Sequence, residues 1–260
     1  VAPGAEWTDT LLGGEGVDVM ILEAENPHDQ ASVAGDFYGF DSFDVARGHW
    51  VVSEGATADL NRAHTVIRHG ASLHIQGVED LGLDEGGVMA GRGTFVGSLY
   101  NLAGRTAPGE SIGTLTIAGN YDHDVDAVLD IEVDPSKPAG DPEEADLLYV
   151  TGKATIHGGK VQVTLLGPAT YVSGQRDFTI LKADGGVEGA FDEMDVGGEL
   201  SPFLEFALSH LGPDSVTGAD EVIFTIIKKA SFSSVAETPN QKEVAGALDD
   251  MADGAPPDDM

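Results

Sequence analysis

Apolar and polar residues alternate along most of this chain, in short runs broken by glycine. Alternation at period two is the pattern of a strand with one buried face. Val17, Val19 and Ile21 alternate in GVDVMILEAEN, and Asn26-Pro27 marks a turn after them. From Gly39 onward the pattern repeats. Phe40, Phe43 and Val45 lead to a corner at Gly48, and Trp50 and Val52 lead to another at Gly55. The next stretch carries Val66, Gly70, Leu73, Ile75, Gly77 and Leu81, and the one after it Val88, Gly91, Gly93, Phe95, Gly97, Leu102 and Gly104. These units recur at intervals of roughly 20 residues, the scale of solenoid turns. Strands this short hide their apolar faces only by stacking on the equivalent strand of the next turn. Glycine suits the corners because it tolerates positive φ. The pattern predicts an all-β chain built as a parallel β-helix; a β-sandwich would call for longer strands and two-residue hairpin turns.

The stretch PGESIGTLTIAGNY, Pro108 to Tyr121, reads as a joint between these short strands and longer ones downstream. A Pro-Gly turn opens it, Leu115 and Ile117 alternate with Thr114 and Thr116, and Gly119-Asn120 closes it. Leu129, Ile131 and Val133 then alternate with Asp130 and Glu132, and Asp134 to Ala145 is a Pro-rich acidic segment with the character of an exposed loop. Leu148 and Val150 follow. Ala154 and Ile156, then Val161, Val163 and Leu165, read as a hairpin about Gly158-Gly159. Phe178, Ile180, Val187, Phe191, Val222, Phe224 and Ile226 continue the alternation, while Phe203 to Leu208 fits a buried strand or a helical turn. The period then switches: Thr238 caps a helix with Pro239 at its first position, and Val244, Leu248 and Met251 recur at helical spacing. GAPPDDM at the end reads as an acidic disordered tail. The expected core comprises Leu115, Ile117, Tyr121, Leu129, Ile131, Val161, Val163, Phe178 and Phe191.

Charge narrows the function classes. The 260 residues include 13 Lys and Arg against 45 Asp and Glu, a net charge of −32. Such a surface repels phosphate backbones and anionic headgroups, so no nucleic-acid partner is expected. The absence of cysteine removes disulfides, thiolate metal sites and a thiol nucleophile. No apolar run is long enough to span a bilayer, and Val1 to Leu12 has neither the basic start nor the apolar stretch of a signal peptide.

Four stretches, in order, resemble the C-terminal passenger region of classical (type V) bacterial autotransporters, the pertactin-like surface proteins. Gly93 to Tyr121 resembles the stretch leading into that family's PG-x-S-x-GTLT-x-x-G-x-Y signature. Asp146 to Leu166 and Asp177 to Asp192 resemble the strands that follow, and TPNQKEVAGALD, Thr238 to Asp249, resembles the start of the helical linker to the translocator barrel. The resemblance runs from about Gly39 to Met251. It implies a right-handed parallel β-helix with a C-terminal β cap and a short terminal helix, at the bacterial cell surface or outer membrane or secreted. It organises the chain as β-helix turns over 1–92, further turns with an autochaperone cap over 93–235, and the start of the helical linker with an acidic tail over 236–260. The implied partner is the translocator β-barrel of the same precursor, which lies outside these 260 residues; ligands on host or neighbouring cells are a further expectation.

Several motifs imitate catalytic or metal sites, and each is read as structural. Gly109-Glu110-Ser111-Ile112-Gly113 matches G-x-S-x-G, but a nucleophile elbow needs a strand before the serine and a helix after it. Arg68-His69-Gly70 imitates a phosphatase signature in a chain too poor in cations to bind phosphate around it. His64, His69 and His74, spaced by five, do not converge on one metal. Asp122, Asp124 and Asp126 open like a calcium loop, yet the sixth position is Ala127 and the twelfth Val133. The reading is therefore a non-enzymatic passenger stalk, part of an adhesin, whose cap nucleates folding, with no catalytic, cofactor or metal residues and no cofactor. A polysaccharide-active β-helix, lyase or glycosidase, is the alternative.

Overall fold

A computed structural model describes residues 11–33, 37–52, 60–77, 80–167, 174–197, 203–212 and 218–252. The corner expected at Gly55 and the tail Gly254 to Met260 lie outside them. Within them the chain is mostly β, with parallel sheets, one antiparallel extension and two short helices.

Three parallel sheets are visited in turn. The first holds Val19–Glu23, Ser42–Arg47, His64–Ile67, Val88–Gly91, Arg105–Pro108, Val128–Val133, Lys160–Leu165 and Glu193–Gly197 in spatial order. The second begins with Gln30–Val33 and continues through His49–Val52, Ser72–Ile75, Thr94–Val96, Thr114–Ala118, Leu147–Val150 and Gln175–Ala183. The third holds Asp80–Leu83, Ser98–Asn101, Tyr121–His123, Ala154–Ile156 and Val187–Gly189. From His64 on, one circuit thus passes a strand of each sheet and returns one position further along; before it, Phe37–Tyr38 pairs instead with Leu11–Leu12 in a separate parallel pair. All three sheets continue across Gly93 and across Tyr121, so Thr114–Ala118 is an interior strand and Pro108 to Tyr121 is no joint between architectures.

Period-two side chains stack into inward rows. In the second sheet Ala31, Trp50, Leu73, Phe95, Ile117, Val150 and Ala183 are consecutive register partners, and all are buried. Each fully buried Leu, Ile, Val or Phe removes enough apolar surface from water to favour folding by about 1.5–3 kcal/mol. Eight of the nine expected core residues have at most 1% of their surface exposed; Phe191 is only half-buried, because it lies in the corner after the last third-sheet strand.

Beyond Gln175–Ala183 the second sheet turns antiparallel. Asp220–Lys228 pairs along it, and Leu204–Leu211 forms the outer edge. Phe203 to Leu208 therefore belongs to a half-buried edge strand, Phe203 lying just ahead of it. The helix Pro239–Ala252 begins as expected: Gln241 N donates to Thr238 Oγ1 at 3.3 Å, and Thr238 N donates to Gln241 Oε1 at 2.8 Å. This is a capping box with glutamine. Asp249 accepts from Phe232 N at 2.7 Å and Ser233 N at 2.9 Å, tying this helix to the short helix Phe232–Val235. Val244 and Leu248 of the expected apolar stripe are nevertheless exposed, and the buried residue is Ala245.

Other expectations are corrected by register. Val17, Val19 and Ile21 are exposed, and Leu22 faces inward with the partly buried Met20, because these two pair with the buried Phe43 and Val45. Val66, Val88 and Leu102 likewise lie on the outer side, with Thr65, Ile67, Met89 and Asn101 inward. Gly158-Gly159 makes a corner, not a hairpin: Ala154–Ile156 belongs to the third sheet and Lys160–Leu165 to the first. The 134–145 segment is partly docked, since Arg176 donates to the Pro135 carbonyl at 2.5 Å and to Glu144 at 2.8 Å. Among the described residues no helix is long and apolar enough to cross a membrane.

Candidate functional site

The motifs that imitate catalytic sites fall apart in space. Ser111 sits on an exposed bend between a first-sheet and a second-sheet strand, and a strand, not a helix, follows it. Arg68 is drawn away from His69 by Asp44, whose two oxygens accept from Nε and Nη2 at 2.9 Å each, and by Glu110. His64 lies on the outside of the first sheet, His74 on the outside of the second, and His69 in the corner between. Among the described residues no group of three or more His, Asp or Glu is placed to hold a metal ion. Asp122 is on a third-sheet strand, while Asp124 and Asp126 occupy the next corner, where Asp124 accepts from Val125 N.

What Pro108 to Tyr121 does organise is a buried clamp. Gly113 ends the bend, and its N–H donates to Asp146 Oδ1 at 2.8 Å. The other oxygen, Oδ2, accepts from Glu132 N at 2.8 Å. Asp146 thus ties the entrance of one second-sheet strand to a first-sheet strand and to the entrance of the next. Gly109 makes room for it. With φ at +86°, Gly109 occupies the left-handed region, and a Cβ there would stand 2.2 Å from the Ser111 carbonyl and 2.4 Å from Asp146 Oδ1. Burial pushes Asp146 up to about 7; the two N–H donors act against that shift, and the neighbouring Glu132 and Asp130 add to it. A shallow groove of about 240 Å³ beside the clamp is lined by Glu110, Asp130, Glu132 and Asp146 among others. Asp146 itself is 1% exposed with both oxygens engaged, so it anchors backbone and is not presented to a substrate.

The second feature is a polar cluster inside the circuits. Asn101, Tyr121 and His123 point inward from the third sheet, where the other inward positions are aliphatic. The Tyr121 hydroxyl shares a 2.8 Å hydrogen bond with His123 Nδ1 and donates to Thr106 Oγ1 at 3.2 Å. Asn101 Nδ2 donates to the same Thr106 oxygen at 3.1 Å and to the Val128 carbonyl at 3.3 Å. The edge of the His123–Phe191 pair closes the cluster, with centroids 4.9 Å apart. Burial pushes Tyr121 up to about 12, against the pull of Thr106 and Asn101, and pushes His123 down to about 4, against the Ala127 carbonyl and Asp124. Among the described residues Asn101 Oδ1 and His123 Nε2 have no hydrogen-bond partner. Sealed polar groups of this kind penalise any register that separates them, which is a reason for one pairing to win.

A column of glycines runs beside this cluster, at the corner between the second and third sheets. Gly152 N donates to the Gly119 carbonyl and Gly185 N to the Gly152 carbonyl, each at 2.8 Å. A Cβ on Gly119 would lie 2.3 Å from the Gly97 carbonyl, and one on Gly152 2.5 Å from that of Gly119. The corner backbones stack directly because no side chain separates them.

Asp146, Asn101, Thr106 and His123 were not singled out by sequence reasoning. The available signal was Tyr121-x-His123, a histidine at period two from a core tyrosine.

No protein-family model matches the chain. It is similar to two proteins of Serratia marcescens, each named extracellular serine protease. One is 28% identical over 199 residues, covering 73% of this chain and 17% of the relative. The other is 26% identical over 249 residues, covering 89% of this chain and 22% of the relative. The chain therefore spans about a fifth of the length of these relatives.

Proposed function

We propose that this chain is a segment of a type V autotransporter passenger, a stalk that stands at the bacterial cell surface or is released from it. Its circuits are read as a right-handed parallel β-helix, its last circuits and antiparallel strands as the cap, and Pro239–Ala252 as the start of a linker toward a translocator barrel. The observation that carries this reading is the passage of the chain through three parallel sheets in turn, ended at one side by an antiparallel pair. The name of the relatives supports the extracellular placement, and the motif order from Gly93 to Asp249 supports the passenger kind.

The work of such a segment is mechanical and not enzymatic. Stacked rows make a rod, and each strand edge templates the next, so a pre-formed end lowers the loop-closure cost of every later circuit. The clamp, the polar cluster and the glycine column all lie between Gly97 and Phe191, which supports 93–235 as the folding nucleus and 1–92 as the part it templates. In a surface-exposed stalk, a cap over the terminal strands limits edge-to-edge aggregation.

Pulsed hydrogen exchange during refolding of the full chain tests this order. Amides of 93–197 are expected to gain protection before those of 19–83. Earlier protection of 19–83 overturns the nucleus, and simultaneous protection removes the distinction between the two parts.

A further inference from the structure

A molecule that carries −32 has one face without carboxylates on its strands. The first-sheet strands bear Glu23, Asp44, Asp130, Glu132, Glu193 and Asp195, and the third-sheet strands bear Asp80, Asp122 and Glu188. The second-sheet strands from Gln30–Val33 through Leu147–Val150 contain no Asp or Glu. Their outward register partners are Gln30, His49, Ser72, Thr94, Thr116 and Tyr149, a row of neutral hydrogen-bonding groups.

At the middle of this row is a trough of about 320 Å³, lined by His49, His69, Ser72, Arg92, Thr94 and Thr116 among others, with Pro142 of the acidic 134–145 segment at one side. Arg92 is exposed and is the one arginine of the described residues that makes no ion pair. Its stem lies over Gly113, where a Cβ would come within 2.5–2.7 Å of Arg92 Nε, Cγ and Cδ. Because the Gly113 N–H is held by Asp146, the surface under the arginine is fixed. His49 Nδ1 and Ser72 Oγ lie 2.8 Å apart, which orients the imidazole and leaves Nε2 outside that bond.

We infer that this trough binds a carboxylate flanked by hydroxyl groups, the chemistry of a glycan bearing an isolated uronic acid. Arg92 receives the carboxylate through paired N–H donors, the geometry that guanidinium presents best. Thr94 and Thr116 donate to and accept from the sugar hydroxyls, and Ser72 contributes the hydrogen-bonding capacity left beside its bond to His49. Charge sets the density of acid on the ligand. A polyanion is repelled by the field of the whole molecule, whereas a mostly neutral chain with one acid meets a local cation on a neutral strip. The row continues beyond the trough to Gln30 on one side, one group per strand at a spacing of about 4.8 Å; on the other side it ends at Tyr149, whose hydroxyl donates to Asp184 at 2.6 Å. The inference does not depend on the passenger reading.

Calorimetric titration of the full chain tests it with three probes: a xylotetraose carrying one glucuronate branch, unbranched xylotetraose, and free glucuronate. The branched oligosaccharide is expected to bind saturably, at least tenfold more tightly than either of the others. Arg92→Ala, at an exposed position where the melting temperature is expected to hold, should lose at least tenfold of that affinity, and Thr94→Val a smaller part. Equal binding of free glucuronate would replace the glycan with a small hydroxy acid as ligand. Equal binding of unbranched xylotetraose would remove the carboxylate from the recognised chemistry. No saturable binding of the branched probe, or binding unchanged in Arg92→Ala, overturns the site.

Discussion

The first and second sheets are built from the same inward pattern and present opposite outward ones. Phe43, Leu129 and Val161 face the interior from the first sheet as Trp50, Ile117 and Val150 do from the second. Outside, the first sheet carries cross-circuit ion pairs: Glu23 with Arg47 at 2.7 Å, Asp44 with Arg68 at 2.9 Å, Asp130 with Arg105 at 2.5 Å, and Lys160 with Asp195 at 3.1 Å. From Gln30–Val33 to Leu147–Val150 the second sheet carries neutral hydrogen-bonding groups there, and an ion pair stands where the antiparallel extension begins, Lys182 with Glu221 at 2.9 Å. Folding needs only the inward row, so the outward row is free to answer to solvent and ligand. The net charge is accordingly unevenly distributed, with the carboxylates concentrated outside the strands Gln30–Val33 through Leu147–Val150 of the second sheet.

The largest test of this division uses two adjacent residues of one strand. Ile117 is 0% exposed and has register partners on both sides, Phe95 and Val150. Ile117→Asp places an unpaired charge there and is expected to cost more than about 4 kcal/mol, enough to abolish cooperative unfolding in a marginally stable domain. Thr116→Asp, one residue away on the outer row, is expected to shift denaturant stability by less than about 0.5 kcal/mol. Similar effects of the two would mean that the strand is not sided as described.

A step smaller is the glycine of the Pro108-Gly109 turn. Gly109→Ala must hold an alanine at φ +86° with its Cβ against the Ser111 carbonyl and the Asp146 carboxylate. A loss of about 1–3 kcal/mol is expected from the backbone strain alone, read from denaturant midpoints. Gly140→Ala, also at positive φ but with nothing within 4 Å of its Cβ, is expected to cost less.

These positions also mark what the sequence made legible. Leu115, Ile117, Leu129, Ile131, Val161 and Val163 stood out because alternation within one strand is local information. Val19–Glu23 did not, because VMIL is apolar at every position and only its pairing with Phe43 and Val45 selects a face. Gly158-Gly159 reads as a hairpin in the sequence and is a corner in the structure, because the same turn chemistry serves both. The clamp was hidden because the partners of Asp146 lie 14 and 33 residues away, one on a first-sheet strand and one at the end of a bend, across loops whose lengths differ from circuit to circuit. The trough is assembled from four successive circuits, and no single stretch contains it.

Two of the buried titratable groups between Gly97 and Phe191, Asp146 and His123, oppose one another. Asp146 titrates at about 7 in the folded chain against an ordinary 3.8. Its contribution to stability is therefore full below about pH 4 and is lost as pH rises through 7. His123 titrates at about 4 against an ordinary 6.5, so its contribution is full above pH 6.5 and is lost as pH falls through 4. Over the same window the two slopes have opposite sign. Relative to the unsubstituted chain, Asp146→Asn is expected to become more acid-sensitive between pH 7 and 4, and His123→Gln less so. Denaturant midpoints measured at half-unit intervals check both signs; parallel profiles for all three proteins would mean that neither group is held as the geometry indicates.

The smallest expected effect returns to the outer faces. Arg105 and Asp130 pair across adjacent first-sheet strands, with side chains 42% and 28% exposed, so solvent screens much of their attraction. Pairs of this exposure contribute about 0.2–1 kcal/mol, and Arg105→Gln is expected to cost that much at low salt. At about 1 M salt the Debye length is roughly 3 Å, comparable to the separation of the charges, so most of the cost should disappear. Ser72→Ala on the second sheet removes a neutral contact to His49, and its cost should be the same at both salt concentrations. A salt-independent Arg105→Gln would mean that its aliphatic stem, not its charge, does the stabilising. A salt-dependent Ser72→Ala would mean that the face from Gln30–Val33 to Leu147–Val150 carries charge that those six strands do not contain.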